Sequence, residues 1–143
     1  MKKVNPYQNL EQELPVVNDS AQMYYYISNH NIGFNYLNML QKLIGLSDDV
    51  LSKWLNITTR TLHNYKKNKE VSLKDNTKEH IVSLLSLYKH GTAVFDTKEN
   101  FEKWLVASNY FLDNKAPKDF LDTISGIRLI DNKLTAIEFG ENV

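Results

Sequence analysis

The sequence contains no cysteine, and its 143 residues include only five glycines and three prolines. Without cysteine the chain can form neither a disulfide framework nor a thiolate metal site, so its stability must come from packing. The absence also suits a reducing cytoplasm. The small number of glycines and prolines is not that of a low-complexity chain. We therefore expect a folded cytoplasmic protein with no metal and no cofactor.

Long apolar runs are also missing. From Met1 to Pro6 the chain runs straight into polar residues, so we expect neither a signal peptide nor a membrane span. A chain of this length has room for one ordinary domain, or for two small helical domains that share a core.

Net charge is absent too, since 17 basic residues balance 17 acidic ones. The two signs are nevertheless segregated along the chain. Between residues 50 and 80 there are seven bases and three acids, whereas from residue 95 onward nine acids face six bases. This segregation indicates one surface for a polyanion and a second surface for a different partner.

Apolar residues recur at helical spacing through most of the chain, and the pattern predicts an all-α fold with no strand and no internal repeat. Residues 1–30 have little periodicity and are interpreted as a partly ordered arm, in which the aromatic cluster Tyr24–Ile27 is better explained by packing than by stacking on bases. The predicted helices run from Phe34 to Gly45, from a cap at Ser47 to Leu55, from a cap at Thr58 or Thr59 onward, from a capping box of Asn76 with Glu79 to Gly91, from Asp96 with Glu99 onward, from Pro117, and from Thr123 to Gly140.

The segment between Ser47 and Lys69 has the parts of a DNA-reading helix-turn-helix, which we assign to residues 31–74. It predicts a short first helix with the buried stripe Val50, Leu51, Trp54 and Leu55, and a turn in which Asn56 takes the left-handed backbone where glycine is usual. The residues predicted to contact DNA are Thr59, Arg60, Thr61, His63, Asn64, Lys66, Lys67 and Lys69.

These side chains are chemically suited to nucleic acid. Arginine pairs with guanine and asparagine with adenine, threonine bonds phosphates or bases, and lysine adds salt-dependent phosphate contacts. The alternative is that the same residues form an ordinary solvated helix face. We favour DNA binding because the predicted turn and helix agree with the charge.

The second half of the chain carries an ordered series of residues: Val94-Phe95, Trp104-Leu105, Asn109, Leu112, Pro117, Phe120-Leu121, Asp122-Thr123, Gly126, Leu134, Ile137-Glu138 and Gly140. Together with Arg60-Thr61-Leu62, this series resembles the Xre-type antitoxins with a ParS/MbcA toxin-binding domain, over roughly residues 34 to 143. Asp113-Asn114 stands where that family usually has paired glycines.

The resemblance implies a homodimer that represses its own operon through the helix-turn-helix. It also implies that residues 75–143 form a helical toxin-binding domain, which holds a RES-type, NAD-degrading toxin inactive. In the family, the extreme C-terminus enters the active-site cleft of the toxin. Here that segment corresponds to Ile137, Glu138, Phe139, Gly140, Glu141, Asn142 and Val143. The alternative for the segment is that Gly140 simply ends the last helix and a frayed tail follows.

Two other functions are weighed against the antitoxin. One is a stand-alone one-component repressor whose C-terminal helices only dimerise it; an isolated gene would favour this function, and an adjacent toxin gene would favour the antitoxin. The other is an enzyme, for which we find no catalytic motif. The four histidines, His30, His63, His80 and His90, lack metal-ligand spacing, and there is no Gly-rich phosphate loop, nucleophile elbow or catalytic cysteine. We therefore expect a non-enzymatic protein.

Overall fold

A computed structural model describes residues 14–140, and within this range the secondary structure is helical apart from a single β-bridge between Asn109 and Lys115. The α-helices are α1 (Ser20–Asn29), α2 (Phe34–Ile44), α3 (Asp48–Trp54), α4 (Thr59–Lys67), α5 (Asp75–Phe95), α6 (Lys98–Val106) and α7 (Ile124–Glu138). Two short 3₁₀ helices, Tyr110–Leu112 and Pro117–Phe120, lie between α6 and α7. The predicted all-α fold is confirmed.

Helix α5 is the central element, as its apolar sequence predicts. Its 21 residues include Ile81, Leu84 and Leu85, which are completely buried, and it packs against α1, α2, α6 and α7. One continuous cluster of buried side chains runs from Leu14 to Leu134. The N-terminal and C-terminal halves therefore share a core.

Several predicted helix ends are confirmed in atomic detail. The hydroxyls of Ser47, Thr58 and Thr123 each accept a hydrogen bond from the backbone N–H of the third residue of the helix that follows. Gly45 ends α2 with φ 71°, and Gly140 follows α7 with φ 77°. These are the positions at which a left-handed backbone and a glycine are favoured.

The predicted bounds of the central helix are wrong at both ends. Asn76 does not open it with a capping box, since α5 begins at Asp75 and has no side-chain cap. Gly91 does not end it, because α5 continues to Phe95. Gly91 is buried, and a Cβ added there would lie 2.3 Å from the ring of Phe101. Gly91 is therefore needed for the close packing of α5 on α6, and it does not end the helix.

The next cap also differs from the prediction. The α6 cap is Thr97, whose hydroxyl accepts a hydrogen bond from the Asn100 N–H, whereas Asp96 has φ 75° and forms the turn between the two helices.

The predicted arm contains a helix that the sequence pattern does not reveal. Helix α1 begins after Asp19, whose carboxylate accepts a hydrogen bond from the Gln22 N–H. Only two of its residues, Met23 and Tyr26, are buried, which is too few to produce a clear periodicity. Residues 1–13 of the arm lie outside the described part of the chain.

Candidate functional site

The turn between α3 and α4 has the geometry that its sequence predicts. Asn56 has φ 54°, and the neighbouring Leu55 is buried. Leu62 and Tyr65 on α4 are also buried, whereas Ile57 is partly buried against the core. The prediction that Val50 is buried is wrong, because its side chain is exposed. The two short helices are thus held at a fixed angle by packing on one side of α4.

The opposite side of α4 faces solvent and is basic and polar. Its exposed side chains are Thr59, Arg60, His63, Asn64 and Lys67. We call this set the α4 face. Thr61 is only half-exposed, and it belongs to the cap, since its hydroxyl accepts a hydrogen bond from that of Thr58 at 2.9 Å.

A polar cluster that the sequence does not reveal joins α4 to α2 and α3. The Lys66 ammonium donates to Asp48 Oδ1 at 2.7 Å and to Gln41 Oε1 at 2.9 Å, and Gln41 Nε2 donates to Asp48 Oδ1 at 2.7 Å. His63 Nε2 lies 3.2 Å from Asp48 Oδ2. The hydrogen bonds from Lys66 and then Gln41 lower the pKa of Asp48 to about 2. Asp48 therefore stays ionised and positions α4.

The cluster divides the predicted DNA-contacting residues into two groups. Lys66 and His63 each contact Asp48, and the Lys69 ammonium lies 4.8 Å from the centre of the Phe34 ring. In contrast, within residues 14–140 neither Arg60 nor Lys67 has an ion-pair partner. Among the predicted DNA-contacting residues, the two cations with no ion pair or ring contact in the described part of the chain are therefore both on the α4 face.

The predicted toxin-contacting segment begins inside the last turn of α7. Ile137 is half-buried, whereas Glu138, Phe139 and Gly140 are exposed, and Phe139 retains 76% of its accessible surface. Glu141, Asn142 and Val143 lie outside the described residues.

Beside α7 lies an apolar surface that the sequence reading missed. Tyr110 and Phe111 retain 79% and 53% of their accessible surfaces, and their rings meet edge to face with centroids 5.5 Å apart. The ammonium of Lys133 lies 5.6 Å from the centre of the Phe111 ring, and Leu129, one turn earlier on α7, is also exposed. We call Tyr110, Phe111, Leu129 and Lys133 the aromatic face. The sequence signal that could have revealed this surface is the pair of adjacent aromatic residues between Asn109 and Leu112.

A tight turn supports this aromatic pair. Asp113 and Asn114 have φ 56° and 62°, and the Lys115 N–H donates to the Leu112 carbonyl at 3.0 Å. Two successive left-handed residues define a type I′ turn, which favours glycine and, next to it, asparagine and aspartate. Asp113-Asn114 therefore takes the backbone conformation in which glycines are expected.

A buried carboxylate connects α7 to α5 and to the segment before α1. Asp131 accepts hydrogen bonds from His90 Nδ1 at 2.7 Å and from Asn18 Nδ2 at 2.9 Å. The other ring nitrogen of His90 lies 3.4 Å from Glu138 Oε1, at the end of α7. The hydrogen bond to Asp131 raises the pKa of His90 despite its partial burial. The imidazole thus anchors the helix that leads into the C-terminal segment.

His80 has a structural position as well. Its Nε2–H donates to the Leu121 carbonyl at 2.9 Å, and burial lowers its pKa. Within residues 14–140, no group of three or more histidine, aspartate or glutamate side chains is arranged to hold a metal ion. The same residues include no helix that is both long and apolar enough to cross a membrane.

Comparison with known families finds a match in the C-terminal part of the chain. Residues 90–140 match the family model of the antitoxin Xre/MbcA/ParS C-terminal toxin-binding domain. No curated protein matches the chain. The matched segment runs from the last turns of α5 to Gly140, so it contains the whole aromatic face and Ile137, Glu138 and Phe139. Domains of this family are non-enzymatic. The match therefore supports a role for this chain as the antitoxin of a toxin–antitoxin system.

Proposed function

We propose that the chain is a homodimeric antitoxin that neutralises a RES-type, NAD-degrading toxin with its C-terminal half and represses its own operon through α3 and α4. The observation that carries the proposal is the match of residues 90–140 to a toxin-binding domain. That segment also exposes Tyr110, Phe111 and Phe139, and exposed aromatic side chains are typical of protein–protein interfaces.

The toxin-binding surface that we propose has two parts. Residues 137–143 enter the cleft of the toxin, as the resemblance implies. The aromatic face provides the anchoring contact beside them, because two large rings on a tight turn lose little conformational entropy on binding. On the aromatic face, the apolar side chains are bordered by one ammonium group, that of Lys133.

The DNA-binding surface that we propose is the α4 face. Arg60 and Asn64 lie one turn apart on the exposed side of a helix, which suits reading of base edges in the major groove. Lys67 supplies a phosphate contact. His63, also on this face, and Lys66 both contact Asp48, so the members of the predicted set that we expect to contact DNA without giving up another contact are Arg60, Asn64 and Lys67.

The toxin part of the proposal is tested by co-expression with the product of the adjacent gene in a heterologous host, with growth and cellular NAD as readouts. Wild type restores both. We expect Tyr110→Ser with Phe111→Ser, and deletion of residues 139–143, to lose protection. The deletion spares α7, which ends at Glu138. Tyr24→Ser with Tyr25→Ser is the control, since it removes an equivalent exposed aromatic pair that lies outside residues 90–140.

Each outcome bears on a separate element of the proposal. Full protection by both variants would exclude the proposed toxin surface. Growth arrest without loss of NAD would exclude a RES-type toxin while leaving the antitoxin role.

A one-component repressor is the second candidate, favoured by the α3–α4 geometry with its left-handed Asn56. An isolated gene, with DNA binding and no toxin beside it, would support this function instead.

A further inference from the structure

Helix α1 presents an exposed surface without charge. Seven of its ten residues are exposed, and none of the ten is acidic or basic. Tyr24 and Tyr25 retain 66% and 63% of their accessible surfaces, and their rings meet edge to face with centroids 5.4 Å apart. In the whole chain 24% of residues are charged, so a fully neutral exposed helix is a departure from the average. Depletion of charge with enrichment of tyrosine is characteristic of the centre of a protein–protein interface.

A groove of about 860 Å³ lies beside this surface. Met23, Tyr24 and Ile27 of α1 line one side of it, and the first turns of α5 line the other. Two acid–base pairs stand on its rim. Lys78 Nζ lies 4.0 Å from Asp75 Oδ1, and Arg128 Nη2 of α7 lies 3.8 Å from Glu79 Oε1. The wall formed by α1 mixes these apolar side chains with Ser20 and Ser28, and the rim carries both signs of charge in equal number.

We propose that α1 and this groove form the surface through which two copies of the chain associate, with Tyr24 and Tyr25 of each copy packed against α1 and the groove of the other. The inference rests on the homodimer of the proposed function and names its interface. We call the seven exposed residues of α1, which include Ala21, Tyr24 and Tyr25, together with the four charged residues of the groove rim, the α1 face.

The distribution of charge favours a second copy of the chain over DNA as the occupant. A polyanion such as DNA requires an excess of basic residues, and α1 has none. In a twofold dimer the same patch meets itself, so it must be complementary to itself. A neutral aromatic centre with a balanced rim satisfies this condition, because the acids of one rim face the bases of the other.

The position of α1 connects this interface to the helix-turn-helix. The Tyr26 and Tyr36 hydroxyls are hydrogen-bonded at 2.9 Å, which fixes α1 to α2. Tyr36 is in turn buried in the core on which α3 and α4 also pack. A dimer formed through α1 thus sets the separation of the two α4 helices, which must be roughly 34 Å or a multiple of it to read two half-sites on one side of the DNA.

The size of the α1 face predicts a weak dimer. The seven exposed residues of α1 and the four rim residues are fewer than the roughly 20–30 residues per side of a standard interface. We therefore expect a dissociation constant in the micromolar range, and operator DNA tightens the association by holding two copies together.

Sedimentation equilibrium of the full chain between about 1 and 200 µM, without DNA or toxin, tests the proposal. Wild type should reach the dimer mass. Tyr24→Ser with Tyr25→Ser, and separately Ala21→Arg, should weaken dimerisation about tenfold or more. The arginine places like charges opposite each other across the axis. Tyr110→Ser with Phe111→Ser is the matched control, since it removes an equivalent exposed pair elsewhere and should leave the dimer unchanged.

Disulfide trapping gives an independent measurement, because the chain contains no cysteine. A single Tyr25→Cys substitution should give a covalent dimer under mild oxidation, and Tyr110→Cys should give little.

The outcomes separate this inference from the proposed function. A wild type that stays monomeric to 200 µM, or a dimer that survives both α1 substitutions, overturns the α1 interface. Whether or not the α1 interface is overturned, the Tyr24→Ser, Tyr25→Ser variant should still neutralise the toxin. The antitoxin role is tested separately, by loss of neutralisation in the Tyr110→Ser, Phe111→Ser variant.

Discussion

The α4 face and the aromatic face differ in the physical basis of the binding that we propose for each. The α4 face offers Arg60, Lys67 and polar side chains on a helix with only two buried positions. The aromatic face offers Tyr110, Phe111 and an aliphatic side chain around one lysine. Contacts of the first kind are electrostatic and weaken with salt, whereas contacts of the second kind depend on buried apolar area and change little with salt.

The comparison shows how one small core can present two chemically different surfaces, one for each of the partners that we propose. Both faces connect to α5 through another helix, the α4 face through the Lys66–Gln41 contact with α2 and the aromatic face through α7, and α5 packs against both α2 and α7. Substitutions on either face should therefore separate the two activities, and a substitution in the core should impair both.

The largest expected effect is a loss of both activities together. In Gly91→Ala the new Cβ would lie within 2.5 Å of three atoms of the buried Phe101 ring, so α5 and α6 must separate. We expect the free energy of unfolding to fall by about 3 kcal/mol, as measured by urea denaturation. Gly45→Ala serves as a control. No atom lies near its new Cβ, and only the strain of a left-handed backbone remains, about 1 kcal/mol. A Gly91→Ala variant as stable as wild type would show that α6 does not pack closely on α5.

The next effect should be confined to the α4 face. Arg60→Gln with Lys67→Gln removes two cations that we propose to contact phosphates or bases, and neither has an ion-pair partner within residues 14–140. We expect affinity for the DNA upstream of its own gene to fall, and the slope of log affinity against log salt to become shallower by about 2. Fluorescence anisotropy across a salt series measures both. Toxin affinity should stay unchanged, and a parallel loss of toxin binding would contradict the separation of the two faces.

A pair of neighbouring lysines sharpens the contrast between scaffold and surface. Lys66→Met removes the contact with Asp48, and we expect a small loss of stability, because both side chains are about a third exposed and solvent screens their attraction. Lys67→Met should change stability by less than about 0.5 kcal/mol and still weaken DNA binding. Thermal or urea unfolding of the two variants side by side makes the comparison. Equal stabilities would indicate that the Asp48 cluster contributes nothing to the fold.

The smallest effect concerns pH and the end of α7. Because the pKa of His90 is raised in the folded chain by its hydrogen bond to Asp131, the stabilisation from His90 is fully present below the unfolded pKa of about 6.5. It is lost as the pH rises through the higher folded value. The difference in unfolding free energy between wild type and His90→Gln should therefore be larger at pH 5.5 than at pH 9, by about 1 kcal/mol or less.

His80 contributes to the pH dependence of stability with the opposite sign, because burial lowers its pKa. Its contribution is the same in wild type and in His90→Gln, so it cancels in the difference between the two. A difference that grows with pH would contradict the role assigned to the His90–Asp131 pair.

Sequence patterns were most reliable for the region from Phe34 to Lys67. There the helix bounds and the left-handed Asn56 were predictable, because short helices with strong caps leave few alternatives. The same patterns gave the wrong end for α5, since a glycine after two basic residues is typical of a helix terminus. Only the ring of Phe101, ten residues further on, explains Gly91.

The candidate sites were predictable by chemical type and less so by accessibility. Arg60 and Lys66 read alike in the sequence, yet Lys66 reaches Gln41 and Asp48, 25 and 18 residues earlier. Tyr110 and Phe111 attracted no prediction because an aromatic pair is compatible with core and surface alike. Their exposure depends on the type I′ turn that follows and on the position of α7.

The sequence by itself determined the features that arise within a few residues of one another: the caps at Ser47, Thr58 and Thr123, and the left-handed positions at Gly45, Asn56 and Gly140. These depend on local hydrogen bonds and on backbone sterics, which neighbouring residues specify. The tertiary structure alone decided which members of each chemical type remain available to a partner. Tyr26 is buried while Tyr24 and Tyr25 are exposed, because burial depends on contacts between residues far apart in the chain.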